Sequence, residues 1–150
     1  MAEFIHGNQS IHYELAGVRE FRLRTPVLLL HGNGEDMHIF DNMIAPLLGA
    51  KGFVLMDSRM QGESFSLDGG GEISYSAMAD DAAALMDELG INEYDIVGYS
   101  DGGIIALLMA MKSFKVRRFF TIGANTDPSG LTAKAVREIK TALRRANHKG

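Results

Sequence analysis

The 150-residue chain contains no cysteine, only three prolines, no long apolar run and no surplus of basic charge. Without cysteine there is no disulfide framework, no thiolate metal site and no cysteine nucleophile, so any nucleophile must be an oxygen. Fifteen Lys and Arg against nineteen Asp and Glu leave a net charge of −4. That balance offers no broad cationic field, and neither nucleic acid nor an anionic membrane surface is expected as a partner. No apolar run approaches the length of a membrane span. The N-terminus, Met-Ala-Glu-Phe-Ile-His-Gly, lacks the basic and apolar regions of a signal peptide, so the sequence reads as cytoplasmic. Repeats, low-complexity tracts and linker-like stretches are also missing. What is present, 46% apolar and 23% charged residues, fits one ordinary domain with a single core.

Short runs with β-branched and aromatic residues, Phe4-Ile5-His6 and Ile11-His12-Tyr13-Glu14-Leu15, flank a polar turn Gly7-Asn8-Gln9-Ser10 and predict an antiparallel hairpin. Pro26-Val27-Leu28-Leu29-Leu30-His31 is wholly apolar until its last residue, as expected of a strand buried on both faces. Three further runs repeat the pattern: Phe53-Val54-Leu55-Met56-Asp57, Tyr94-Asp95-Ile96-Val97-Gly98-Tyr99 and Arg118-Phe119-Phe120-Thr121-Ile122-Gly123. Helix-period segments fall between them at residues 37–48, 75–89 and 102–112, the last apolar nearly all round and so expected to be buried. Alternation of strand and helix predicts an α/β fold, a mostly parallel sheet with helices on both faces. Residues 131–147 read as a surface helix with Leu131, Ala135, Ile139 and Leu143 on one face.

Chemistry in an open parallel sheet collects at the carboxyl ends of strands. After the Tyr94 run comes Gly98-Tyr99-Ser100-Asp101-Gly102-Gly103, a G-x-S-x-G match at a strand-to-helix junction. A sharp turn there would strain the Ser100 backbone and expose its hydroxyl. The flanking glycines would let strand and helix approach, and the Asp101 amide would lie at a helix N-terminus able to bind an oxyanion. After the Pro26 run comes His31-Gly32-Asn33-Gly34-Glu35-Asp36. Gly32 and Gly34 permit conformations that expose an amide, and Asn33 is the expected second oxyanion donor. His31 is expected to hold this loop rather than to catalyse, and Glu35 and Asp36 to cap the following helix. Asp57-Ser58-Arg59-Met60-Gln61-Gly62-Glu63-Ser64 follows the Phe53 run, and its Asp and Arg are expected to form an internal ion pair that fixes the loop.

These three motifs, in this order, resemble the α/β-hydrolase superfamily, in particular its small serine esterases and lactonases, over residues 3–127. The family's HGxG-type loop corresponds to His31 through Gly34, its D-x-R-G-x-G-x-S segment to Asp57 through Ser64, and its nucleophile elbow to Gly98 through Gly102. Met60 departs from the usual glycine of the middle motif. Serine at position 100 implies acyl transfer, since dehalogenases and epoxide hydrolases of this fold carry aspartate there. The resemblance implies Ser100 as nucleophile, and Gly32, Gly34, His38 and Tyr99 around a small-molecule ester substrate, with no metal or cofactor.

The family's acid and histidine follow later strands, and single domains of this class commonly need about 200–250 residues. The expectation is therefore the N-terminal portion of a hydrolase: residues 1–130 an incomplete core lacking the C-terminal strands, residues 131–150 a helix resembling the start of a lid insertion. Asp127 is a candidate acid, although a turn aspartate is the plainer reading. None of His6, His12, His31, His38 and His148 is expected to be the base. Two other readings stay open, a ligand-binding module of the same fold and a catalytically incomplete fragment. The strand at 118–123 would be a sheet edge inviting self-association.

Overall fold

A computed structural model describes residues 2–125 together with 127, 129, 133, 134 and 137. The chain opens with an antiparallel hairpin of β1 (Ala2–His6) and β2 (Gln9–Ala16). Its turn is only Gly7-Asn8, with Gly7 at φ +59°. A left-handed residue at that point suits a tight two-residue turn. Gln9 and Ser10, expected in the turn, therefore belong to β2 and pair with His6 and Ile5.

A 3-10 turn (Val18–Arg22) leads to β3 (Val27–Leu30). The segment expected to be one helix at 37–48 is three pieces: a 3-10 turn (Met37–Phe40), the short α1 (Asp41–Ile44) and another 3-10 turn (Ala45–Leu47). Asp36 caps the first by accepting from His38 N–H at 2.9 Å. Pro46, which has no N–H to give a continuing helix, sits in the last. After β4 (Phe53–Met56) and the two-residue β5 (Phe65–Ser66), Ser74 caps α2 (Tyr75–Glu88) by accepting from Ala77 N–H at 3.1 Å. Then come β6 (Tyr94–Tyr99), α3 (Asp101–Lys112) and β7 (Val116–Ile122).

The strands form one sheet in the order β1-β2-β4-β3-β6-β7, with β5 added beside β2. Neighbours from β4 to β7 run parallel, while β2 is antiparallel to β1, β4 and β5. Side chains alternate across the sheet as the strand pleat requires. Leu28, Leu30, Val54, Met56 and Ile96 face a core built with Leu85 and Met86 of α2 and Ile105 and Met109 of α3. Val27, Leu29, Phe53 and Leu55 face the other way, onto Met37, Phe40 and Ile44. Helical segments thus cover both faces, as the run of apolar strands predicted. α3 is buried along Gly102, Gly103, Ile105, Ala106 and Met109, as its apolar composition predicts, and opens only at its end, where Met111 is 75% exposed. The surface helix read at 131–147, and with it the lid-like segment, lies outside the described residues apart from three positions. Among the described residues no helix is long and apolar enough to cross a membrane.

Candidate active site

β6 runs directly into α3 through a single residue, Ser100, whose backbone adopts φ 52° and ψ −117°. L-residues avoid this region because Cβ crowds the backbone, and such outliers persist only where surrounding structure enforces them. Here Ser100 N–H donates to Ile122 O at 2.7 Å and Gly103 N–H donates to Ser100 O at 2.9 Å, pinning the turn from both sides. The glycines are required by contact. A Cβ on Gly98 would stand 2.3 Å from the Gly102 carbonyl oxygen, and one on Gly102 would stand 2.0 Å from that of Leu30. Both obstacles are backbone and cannot yield. The G-x-S-x-G spacing thus reflects β6, α3 and β3 meeting at van der Waals distance.

That close approach brings the loop after β3 against Ser100. A Cβ on Gly32 would lie 3.1 Å from Ser100 Cβ, 3.2 Å from Tyr99 Cδ1 and 2.6 Å from Glu35 Oε2. Gly32, Tyr99 and Ser100, three of the residues singled out from sequence, are therefore neighbours, and Glu35 joins them. His31 is buried, and its Nε2 accepts from Ser58 N–H at 3.0 Å. The ring proton accordingly sits on Nδ1, which donates to Gly32 O at 2.7 Å. The histidine holds the loop, as expected. Glu35 does not cap the following helix; its Oε2 accepts from Gly32 N–H at 3.1 Å, and Asp36 alone provides the cap. Gly34 N–H donates to Gln61 Oε1 at 2.8 Å. Among the described residues this leaves Asn33 N–H without a partner, and the Asp101 amide, in the first turn of α3, has no intrahelical partner either. Gln61 carried no signal in the sequence.

The loop after β4 braces this arrangement. Asp57 Oδ1 accepts from Met37 N–H and Oδ2 from Glu63 N–H, both at 2.8 Å. The expected Asp57–Arg59 pair does not form. Arg59 instead reaches Asp81 on α2, 22 positions further on, because both carboxylate oxygens of Asp57 are occupied by amides. Met60, at φ +61°, adopts the left-handed conformation that a glycine takes without strain.

The remaining candidates are engaged with other partners. His38 is exposed on the 3-10 turn after the loop, its Nδ1 3.2 Å from Asp41 Oδ2. Partial burial pulls its pKa down, but the Asp41 hydrogen bond and the charges of Asp41, Asp36 and Glu14 outweigh that and hold it above the ordinary value. His6 is bonded to Asp81 at 2.8 Å, and His12 is buried with Glu63 at 3.9 Å. No histidine among the described residues hydrogen-bonds Ser100, and His148 lies outside them. Asp127 accepts from Ser129 N–H at 2.7 Å and from its hydroxyl, and those bonds hold its carboxyl below the usual range in an exposed turn. The Tyr75 hydroxyl lies beside the Asp101 carboxylate; burial and that charge raise its pKa.

Comparison with known proteins agrees with this geometry. The family model of the alpha/beta hydrolase fold matches residues 25–145. Among solved structures, Est816, described as an N-acyl homoserine lactone degrading enzyme, superposes with a TM-score of 0.75 at 22% identity, covering 93% of this chain and 52% of its own. A thermophilic esterase from Thermogutta terrifontis gives 0.71 at 25% identity, covering 91% and 48%. A protein from Pseudomonas aeruginosa provisionally named an epoxide hydrolase gives 0.67 at 27%, covering 80% and 39%. The chain thus spans about half the length, or less, of the structures it resembles. With a strand-elbow-helix at Ser100 and a family match over most of its residues, the chain belongs to the α/β-hydrolase fold family.

Proposed function

We propose that the protein is a serine hydrolase of small carboxylic esters, thioesters or lactones, with Ser100 as nucleophile and the Asn33 and Asp101 amides as oxyanion donors. The observation that carries this reading is the contact of Gly32 with Ser100, which sets a strained, otherwise unbonded hydroxyl beside a loop with one free amide. In the reaction, Ser100 Oγ attacks the acyl carbon while a base takes its proton, and the carbonyl electron pair moves onto an oxygen facing the two amides. Collapse expels the alkoxide, which receives the proton, and leaves an acyl-serine that water then cleaves. The base comes from outside the described residues on this reading, and Asp127, committed to Ser129, gains no support as its acid partner. A lactone-degrading enzyme and an esterase among the structural neighbours favour ester-type carbonyl substrates. Serine rather than aspartate at position 100 weighs against epoxide opening, as the family resemblance implies.

The test uses protein expressed from its complete reading frame and a fluorophosphonate probe. Labelling on the peptide containing Ser100, lost in Ser100→Ala, is the expected result. Failure to label the folded protein, or labelling that survives Ser100→Ala, overturns the assignment and favours a binding module or incomplete fragment of the same fold.

A further inference from the structure

We infer that Gln61 is a positioning residue that sets the direction of the oxyanion donor, an inference resting on the hydrolase reading above. Three consecutive peptide planes open the loop after β3, and a different side chain holds each. The His31–Gly32 plane is held through Gly32 N–H, on Glu35 Oε2 at 3.1 Å. The Gly32–Asn33 plane is held through its carbonyl, which takes His31 Nδ1–H at 2.7 Å and, more loosely, Glu35 N–H at 3.3 Å. The Asn33–Gly34 plane is held through Gly34 N–H, on Gln61 Oε1 at 2.8 Å. A trans peptide places its N–H opposite its C=O, so the His31 bond also directs Asn33 N–H away from the imidazole. The planes on either side determine whether that direction persists.

His31 and Glu35 act from within the loop, whereas Gln61 reaches it from 27 positions further along the chain. Its own backbone is held at both ends: N–H donates to Ser58 O and the carbonyl accepts from Ser64 N–H, each at 3.0 Å. Gly62, at φ +55°, winds this loop so tightly around Asp57 that a Cβ there would lie 2.2 Å from Asp57 Oδ2. Gln61 is thus a strut with a firm base. Its target has no other restraint from that side, since Gly34, at φ +75°, has no atom within 4 Å of where a Cβ would stand. The two neighbouring stitches between the loops, Ser58 N–H to His31 and Met37 N–H to Asp57, are buried and hold the fold. The Gln61 bond is exposed. One solvent-exposed hydrogen bond contributes little net stability, so its removal frees the Asn33–Gly34 peptide without unfolding the protein.

The experiment compares Gln61→Met, which removes the acceptor at similar length, with Gln61→Glu, which keeps an acceptor oxygen, in protein from the complete reading frame. In amide NMR, Gln61→Met should move the Asn33 and Gly34 resonances and strip Gly34 of exchange protection while Asp101 stays in place; Gln61→Glu should leave all three close to wild type. Unmoved Asn33 and Gly34 amides in Gln61→Met overturn the inference whatever the activity. In kinetics, removing a whole oxyanion donor costs roughly 10²–10³ in kcat, and loosening one should cost about tenfold at unchanged KM and unchanged Tm, with Gln61→Glu restoring most of it. Full activity in Gln61→Met, or equal losses in both variants, overturns it. A wild type without Ser100-dependent turnover defeats the hydrolase reading instead, and the NMR comparison still decides whether Gln61 holds the loop.

Discussion

Arg59 grips Asp81 at two points, Nε to Oδ2 at 2.6 Å and Nη2 to Oδ1 at 2.7 Å, tying the loop after β4 to the middle of α2. Asp81 is 0% exposed. His6 Nδ1 lies 2.8 Å from Oδ1 of the same carboxylate, and Arg59 Nη1 donates to Glu72 O at 2.7 Å, so β1 and the segment leading into α2 join the same cluster. The hydrogen bond to Asp81 outweighs burial and holds the Arg59 guanidinium above its ordinary pKa.

Arg59→Met should therefore damage folding more than chemistry. Removing one member of a buried pair leaves the other uncompensated, at a cost of about 3–5 kcal/mol. The expected outcome is a large fall in Tm with kcat, measured well below the new Tm, changed far less. The double variant Arg59→Met, Asp81→Leu should recover much of the loss, since well-packed apolar replacements of a buried pair are often neutral. An unchanged Tm with abolished turnover would mean that the guanidinium serves the reaction directly.

Ser100→Gly should stabilise the protein while abolishing any Ser100-dependent activity. The φ 52°, ψ −117° backbone at Ser100 costs an L-residue roughly 1–3 kcal/mol that glycine does not bear. Ser100→Ala keeps its Cβ and should show no such gain. Glycine also has more freedom to lose on folding, so a net rise of about 1 kcal/mol is expected in chemical denaturation. Met60→Gly, at φ +61° and 45% exposed, should gain similarly without loss of activity. Equal stabilities for Ser100→Gly and Ser100→Ala would show that the elbow is relaxed.

Tyr94 should make the fold sensitive to alkali. Burial, and secondarily the charge of Asp87, push its pKa up to about 12. An unfolded tyrosine ionises near 10, so between these values the unfolded chain has released a proton that the folded chain retains. Stability is full below pH 10 and falls as pH rises through that window. At pH 11 the loss relative to pH 8 should be about 1 kcal/mol. Urea titrations of wild type and Tyr94→Phe check this: the two should run parallel below pH 10 and converge or cross above it.

The elements legible in the sequence are those whose signal is local. Leu28, Leu29 and Leu30 announce a strand buried on both faces, and β6 has the bounds that its composition predicts. The elbow is legible from its spacing, although remote backbone enforces it: Gly102 is required by the Leu30 carbonyl, and Ser100 N–H is held by Ile122 O. Signals fade where the deciding partner is remote. Arg59 has an Asp two positions away and pairs with another 22 positions away, because amide donors within their own loops occupy Asp57. Glu35 has the composition of a helix cap but turns back to Gly32, and Gln61 is one polar residue in a loop until Gly34 is seen against it. The two-residue β5 is too short to show any period.

β7 hydrogen-bonds β6 along one side and has no strand on its other side among the described residues. A strand covered on one face alternates buried and exposed side chains. Here consecutive residues are open: Phe119 is 46% exposed, Phe120 63% and Ile122 41%. Free backbone donors and acceptors beside an apolar, β-prone segment form a template for pairing with another chain. Arg117 and Arg118, paired with Glu93 and Asp95, sit at the beginning of the strand and leave the Phe119–Ile122 stretch unguarded. We propose that a polypeptide of these 150 residues associates with a second copy through this edge. Size-exclusion chromatography with light scattering should show concentration-dependent dimers or larger species, and Phe120→Lys should shift them toward monomer because a charge would then have to be buried at the contact. Monodisperse monomer at high concentration would sink the proposal. Association that survives both Phe120→Lys and Phe119→Lys would place the contact elsewhere on the surface.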